Sequence, residues 1–274
     1  MPITVLNRAR GGGSRAFDAD VLSWRDAIVA NGGSVSLARL IVVDQFVFSE
    51  KAAGNWALTD DYFGLWAENP VQALTSLKQR RLAVAVNSPA FTPDRNYTFN
   101  GATSYIDTGF VANSHAGVMG VSNVHIEAYE RTNVSGVTTA IGVNSGSGRA
   151  LSLYPRNGNA LLPAPNMVGA YYSLNTPYSS VGLSQAGRTG ATTGDIYCAR
   201  NGVDLVQSLA PTNVGAALPF HSLFIGASNN NGTPAQFRAA SRGFVACGAA
   251  LDGTQRLTRF NNVQAWATSV GAQV

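Results

Sequence analysis

Charge is scarce in this chain: 12% of its 274 residues are Asp, Glu, Lys or Arg, where a globular domain usually carries ~25%. A disordered chain combines low hydrophobicity with high net charge. Here 45% of residues are hydrophobic, so the chain folds and can bury a sizeable core. Cysteine is nearly missing. Cys198 and Cys247 are the only two, each in an apolar, strand-like context, and neither has His or carboxylate partners spaced for zinc. They are read as small, reduced core residues. Long apolar runs are also lacking: the greasiest, Leu40 to Phe48, is interrupted by Asp44 and falls far short of the ~20 residues that span a bilayer. Met1 to Gly13 has no apolar stretch of the signal-peptide kind. The expectation is a soluble protein made in a cytoplasm, with no membrane insertion.

No basic stripe is present. Nineteen Lys and Arg against fifteen Asp and Glu give a net charge of +4, and the surplus is spread along the chain. Phosphate backbones require cations that converge on one face, so nucleic acid is excluded as a partner. Lys78, Arg80 and Arg81 form the densest basic stretch and read as a solvated helix end. With so little charge, the surface is made polar by Gly, Ser, Thr and Asn, a composition that suits shell or adhesion proteins meeting copies of themselves or sugars.

What is there divides near residue 95. Nine acids and ten bases precede it, and six acids and nine bases are spread over the 179 residues that follow. Two segments are therefore expected: 1–95, helical, and 96–274, a β domain with a closing helix. In the first, Asp18 caps a helix in which Val21, Trp24 and Ile28 recur at helical spacing before the stop Asn31-Gly32-Gly33. Ser36 caps a second that ends near Gly54. Tyr62 to Trp66 and Val71 to Arg81 read as short helical pieces, with Pro70 tolerated at an early position. Trp56, Tyr62, Phe63 and Trp66 either line a groove or weld the helices to the next segment; the area that a small appendage must bury favours welding.

After Pro93 the pattern changes to period two. Val124 to Arg131 and Leu151 to Tyr154 alternate as half-buried strands, and Asn201-Gly202 is a tight hairpin turn. Strand-like segments recur through Leu223 to Gly226 and Gly243 to Cys247. Leu257, Phe260, Val263 and Trp266 then follow helical spacing from Asp252 to Gly271. The fold class is mainly β: an antiparallel jelly-roll sandwich with a helical N-terminal segment and a C-terminal helix.

Tyr97-Thr98-Phe99-Asn100-Gly101-Ala102-Thr103-Ser104-Tyr105-Ile106-Asp107 resembles the opening strands of laminin-G-like, concanavalin A-like domains. Leu223-Phe224-Ile225-Gly226, then Gly243-Phe244-Val245 and Ala249-Ala250-Leu251, is similar to their closing segment. The whole, a helical head followed by Asn87 to Thr92 and the sandwich, resembles structural proteins of tailed bacteriophages and prophages. That resemblance implies a virion protein on the tail, baseplate or head, assembled in the host cytoplasm. Its partners would be other virion proteins, further copies of itself and a bacterial surface carbohydrate. Residues 1–95 would anchor it, with Arg8, Arg10 and Arg15 docking into an acidic seam.

Relatives place acids in the last strand where this chain has Gly243-Phe244-Val245-Ala246-Cys247, and calcium needs several oxygens. With Asp107 the lone acid near the first strands, no metal site and no cofactor are expected. Glycanases on this fold place two carboxylates on one strand face. Glu127 and Glu130, three apart, point to opposite faces and read as solvent-facing charge. His115, His125 and His221 lie in no nucleophile motif, and Gly11-Gly12-Gly13-Ser14 reads as a flexible joint. The expectation is a protein without catalytic residues, not an enzyme. Two alternatives stand beside it: a purely architectural decoration or connector protein, and a surface-polysaccharide depolymerase. Sugars dock on exposed aromatic rings ringed by Asn, Arg and main-chain groups. Tyr154 with Arg156 and Asn157, and the loop carrying Tyr171, Tyr172 and Tyr178, are the candidate glycan-binding residues, though such tyrosines also serve protein contacts.

Overall fold

In the computed structural model, residues 16–146, 148–168, 179–205 and 213–274 are described. Two sheets lie face to face, and helices cover the outer face of one. The first sheet runs Val203–Asp204, Ile196–Arg200, Gly182–Arg188, Val124–Glu130, Ser241–Gly248, Asn96–Thr98, Ala90–Thr92, with Thr59–Gly64 also paired to Ser241–Gly248. The second runs Asn213–Val214, Ala160–Val168, Ala150–Asn157, Ile141–Asn144, Ser222–Ile225, Tyr105–Val111, Val84–Val86. A hairpin, Ser228–Asn230 with Thr233–Ala235, joins the second sheet through a parallel pairing to Ile141–Asn144.

Strand periodicity explains both cores. Val124, Ile126 and Ala128 face inward against Ile106, Phe110, Ile141, Leu153 and Leu223 of the second sheet. Their alternate neighbour Tyr129 faces outward into a cluster with Trp24, Phe46, Trp66 and Trp266 from the helical layer. Each such side chain contributes roughly 1.5–3 kcal/mol when fully buried. Because the first sheet is covered on both faces, every residue of Val124–Glu130 is buried, not the half predicted from alternation.

Three of the helices read from the sequence are realised. Helix Ala19–Ala30 is capped by Asp18, and Leu37–Ala52 by Ser36, whose Oγ accepts from Arg39 N at 3.1 Å. Gly253–Ser269 opens with a capping box between Asp252 and Gln255. Asn201 and Gly202, both at positive φ, form the two-residue turn between Ile196–Arg200 and Val203–Asp204.

Two expected helices are not helices. Residues 62–64 belong to strand Thr59–Gly64, with Tyr62 turned to the helical layer and Phe63 to the space between the sheets. Those alternating burial demands impose period two on a run of aromatics. The helix expected over 71–81 is confined to Pro70–Leu74; beyond it Thr75 bridges Leu82, and Ser76 N donates to Arg81 O at 2.8 Å. The change in composition near residue 95 falls between two paired strands of one sheet, Ala90–Thr92 and Asn96–Thr98. Trp56, Tyr62 and Trp66 do weld the helical layer to the sandwich.

The segment Phe99 to Ser104 carries the chain from one sheet to the other. Asn100 Oδ1 accepts from the amides of Ala102, Thr103 and Ser104 at 2.9, 2.9 and 3.0 Å, closing the corner. Gly226 has φ +84, and a Cβ there would stand 2.6 Å from the Phe99 ring. The two motifs that carried the family resemblance therefore touch.

Candidate functional site

Tyr154 is fully buried, packed with Ala160 and Leu162, and its Oη donates to Gln236 Oε1 at 2.6 Å. The ring expected to be a sugar platform is covered, because the outer face of the second sheet is itself packed over there. Arg156 remains at the surface, with Nε donating to Gly158 O and Nη1 to Asn133 Oδ1, both at 2.9 Å. Asn157 pairs with Ala160 at the end of its strand. Tyr171, Tyr172 and Tyr178 lie outside the described residues, as do Arg8, Arg10 and Arg15.

An exposed aromatic lies at the opposite end of the sheet. Phe220 is 45% exposed, and three loops meet beside it: the turn after Ile141–Asn144, the approach to Ser222–Ile225, and the tip of the Asn-rich hairpin. The register brings them together, since Phe224 pairs with Gly142 and Asn230 with Asn144. Ser145 Oγ is the hub: the amides of Phe220 and His221 donate to it at 3.1 and 3.2 Å, and His221 Nδ1 lies 3.1 Å away. With both lone pairs occupied, the hydroxyl donates to Nδ1, which leaves the imidazole proton on Nε2. The Arg149 guanidinium lies 5.3 Å from the Phe220 ring centroid, and the His221 ring 4.6 Å away. Asn231, held at φ 54 by the turn, places its amide beside Gly146.

This cluster has what sugar docking requires: an apolar ring framed by hydrogen-bonding groups. The sequence reading weighed His221 only as a catalytic base and passed over Phe220. An aromatic in a loop looks the same in sequence whether it is buried or presented, and the register that joins the three loops is not local information. Pro219-Phe220-His221 after a small-residue loop was the available signal.

The buried carboxylates form a different kind of cluster. Glu127 and Glu130 do point to opposite faces, but neither meets solvent. Glu127 Oε2 accepts from Arg259 Nη1 at 2.7 Å, and Arg259 Nε reaches Glu50 Oε2 at 2.6 Å. Tyr62 Oη donates to Glu50 Oε2 at 2.9 Å. Glu130 is held by Arg238, at 2.6 Å, and by Arg242. Burial alone would raise the Glu130 carboxyl, but the two guanidiniums hold it below its ordinary value. Burial likewise opposes charge on Arg259, and the Glu127 and Glu50 carboxylates more than offset it. The charges expected on the surface are interior for two reasons: the helical layer, invisible to a strand-by-strand reading, covers Glu127, and Arg238 and Arg242 enclose Glu130 on the opposite face.

Among the described residues no group of three or more His, Cys, Asp or Glu is placed to hold a metal ion, and no helix is long and apolar enough to cross a membrane. Cys198 and Cys247 are buried and unbonded between the sheets.

No family model matches the sequence, and no curated protein does. Solved structures do share its fold. A Trypanosoma rangeli sialidase in complex with the inhibitor DANA matches 82% of this chain at TM-score 0.51 and 14% identity, over 39% of the sialidase. Domain 4 of AbnA, a GH43 extracellular arabinanase from Geobacillus stearothermophilus, solved with arabinotriose, matches 73% of this chain and 97% of its own length at TM-score 0.46 and 13% identity. NanB sialidase from Streptococcus pneumoniae matches 62% of this chain and 27% of its own, at TM-score 0.41 and 12% identity. The chain thus spans about two fifths of the first sialidase, and the likeness to it shows a mainly β, sandwich-containing fold.

One expectation is overturned by these matches. The chain was expected not to be an enzyme, yet it shares its fold, at TM-score 0.51, with part of a Trypanosoma rangeli sialidase. The exclusion rested on the absence of two carboxylates on one strand face, and that test was too narrow: sialidases are among the glycosidases that use a Tyr nucleophile instead.

Proposed function

We propose that this chain is a glycan-contacting surface protein of a tailed-phage-like particle, with the loop cluster around Phe220 as its contact. The observation that carries the glycan reading is the exposed Phe220 ring, framed by Arg149, His221 and Asn231 at one end of the second sheet. The Phe220 ring is 45% exposed and stands among hydrogen-bonding groups, and the apolar C–H faces of sugars stack on such rings. The sandwich fold, common to glycan-acting proteins, supports the same reading. Placement on a particle is supported by the sequence resemblance, which also suggests other virion proteins and further copies of the chain as partners.

The test is binding of the full-length protein to intact bacterial cells and to their extracted surface glycans, beside Phe220→Ala. Saturable binding lost in the variant is the expected result. Binding unaffected by the substitution overturns the site, and no binding to any cell or glycan overturns the function. Reducing-sugar release is followed in the same samples, and turnover would make the contact a substrate site. Antibody labelling of purified tailed particles tests the placement, and particles lacking the protein would overturn it.

A further inference from the structure

We infer that the Phe220 loop end takes an anionic saccharide, one bearing carboxylate or sulfate groups, with Arg149 as the anion-binding side chain. This rests on the glycan reading above and names the class of sugar.

Three observations carry it. First, Arg149 has no counter-ion among the described residues. Its Nε is buried without an acceptor, and among the described residues no carboxylate or carbonyl accepts from its guanidinium. Stacking over Phe220 holds the fork in place, so little side-chain freedom is lost when an oxyanion binds. Second, the cluster is rich in donors. Ser145 fixes His221 with its proton on Nε2, and that N–H has no acceptor among the described residues. The Asn231 amide adds two more donors beside Gly146. Third, the region is nearly free of acid. From Arg131 to Leu251 the chain has seven arginines and two acids, Asp195 and Asp204. Asp195 accepts from Thr192, and Asp204 is paired with Arg256 at 2.6 Å. The second sheet carries one acid, Asp107, whose Oδ1 accepts from Gly109 N at 2.9 Å.

Sites for neutral sugars commonly use Asp or Glu to accept hydroxyl protons, and this site offers none. Donors without a neighbouring carboxylate favour an oxyanion, because hydrogen bonds to a charged acceptor are about twice as strong as neutral ones. A guanidinium fork fits a carboxylate or a sulfate by two parallel N–H···O bonds.

The experiment measures binding of full-length protein to trigalacturonate, a sulfated galactose trisaccharide and neutral galactotriose, with wild type, Arg149→Gln, Arg149→Lys and Phe220→Ala. At least one anionic probe is expected to bind about tenfold or more tightly than galactotriose, the scale of one charge-assisted contact. Arg149→Gln erases that preference, Arg149→Lys retains part of it, and added salt weakens it. Phe220→Ala weakens all three probes, and the anion bound more tightly identifies the group recognised. Galactotriose bound as tightly as both anions, or a preference that survives Arg149→Gln, overturns the inference and leaves the glycan reading standing if Phe220→Ala still abolishes binding. Binding of none of the three overturns this inference, while binding to cells in the earlier assay decides the glycan reading separately. Equal melting temperatures of variants and wild type exclude misfolding as the cause of any loss.

Discussion

Arg259 of the C-terminal helix donates to Glu127 of the central strand Val124–Glu130 at 2.7 Å, with both side chains fully buried. The same guanidinium reaches Glu50 of the second helix and the hydroxyls of Thr59 and Tyr62. One side chain thus joins three elements from distant parts of the sequence. Buried pairs add little net stability when well-packed apolar groups could replace them, but removing one partner strands a charge, at about 3–5 kcal/mol. Arg259→Met is expected to cost at least that, because two carboxylates are stranded together. Glu127→Gln, which keeps the shape and leaves Glu50 to neutralise Arg259, is expected to cost less. Urea unfolding of both variants checks the order.

Two buried groups oppose each other in acid. Burial raises Asp61 to about 6, against partial relief from Ser76 and Arg81. Burial also lowers His125 to about 3, helped by the Arg259 charge. The folded state holds the Asp61 proton more tightly than the unfolded chain does, so this group's stabilisation is complete below pH ~4 and lost as pH rises through 6. For His125 the folded state refuses the proton, so its contribution is complete above pH ~6.5 and lost as pH falls toward 3. Each slope is about 1.4 kcal/mol per pH unit where it acts, and between pH 6 and 4.5 they cancel. Stability of the wild type is expected to be nearly flat there. Asp61→Asn should be more stable at pH 7 and lose stability on acidification, whereas His125→Gln should gain it. Unfolding curves at half-unit pH steps read both signs, and parallel profiles for the two variants would refute the balance.

Local signals carried much of the architecture. Asp18, Ser36 and Asp252 each sit one residue before a helix, and Asn201-Gly202 turns a hairpin, because caps and tight turns are decided by a residue and its near neighbours. Tyr62 and Phe63 were misread because their environment is set by their strand partners Ala246 and Val245, far along the chain. Glu127 and Glu130 show the same limit: strand geometry gives their opposite faces, while the groups that enclose them, Arg259 on one side and Arg238 with Arg242 on the other, come from distant elements. At the candidate site, Tyr154 and Phe220 exchanged roles for that reason. Exposure depends on what packs above a strand, and no spacing rule reports it.

Glycine 243 tests how tightly the helical layer meets the first sheet. A Cβ at Gly243 would stand 2.2 Å from Trp66 Cε3, and Trp66 is fully buried against Tyr129, Phe244 and Trp266. Overpacking of this kind costs roughly 1–3 kcal/mol or more. Gly158, at φ +59 with nothing within 4 Å of an added Cβ, supplies the comparison, since alanine there meets only backbone strain of about 1 kcal/mol. Gly243→Ala is expected to lower the melting temperature further than Gly158→Ala. The reverse order would mean that Trp66 has room to move.

Phe220 and Tyr154 separate presentation from packing. Tyr154 is fully enclosed, and its truncation to Ala is expected to cost about 3–5 kcal/mol, as for other buried aromatics. Tyr154→Phe, which removes the bond to Gln236, should cost about 1 kcal/mol. Phe220 is 45% exposed, so Phe220→Ala should stay within about 0.5 kcal/mol of wild type, the range of ordinary surface substitutions. The ring would then contribute far less to folding than its size implies, as expected of an aromatic presented to a partner. A loss of several kcal/mol on Phe220→Ala would instead make it a packing residue that clamps Arg149 and His221. The two outcomes are distinguished by denaturant unfolding of the three variants, before any ligand is added.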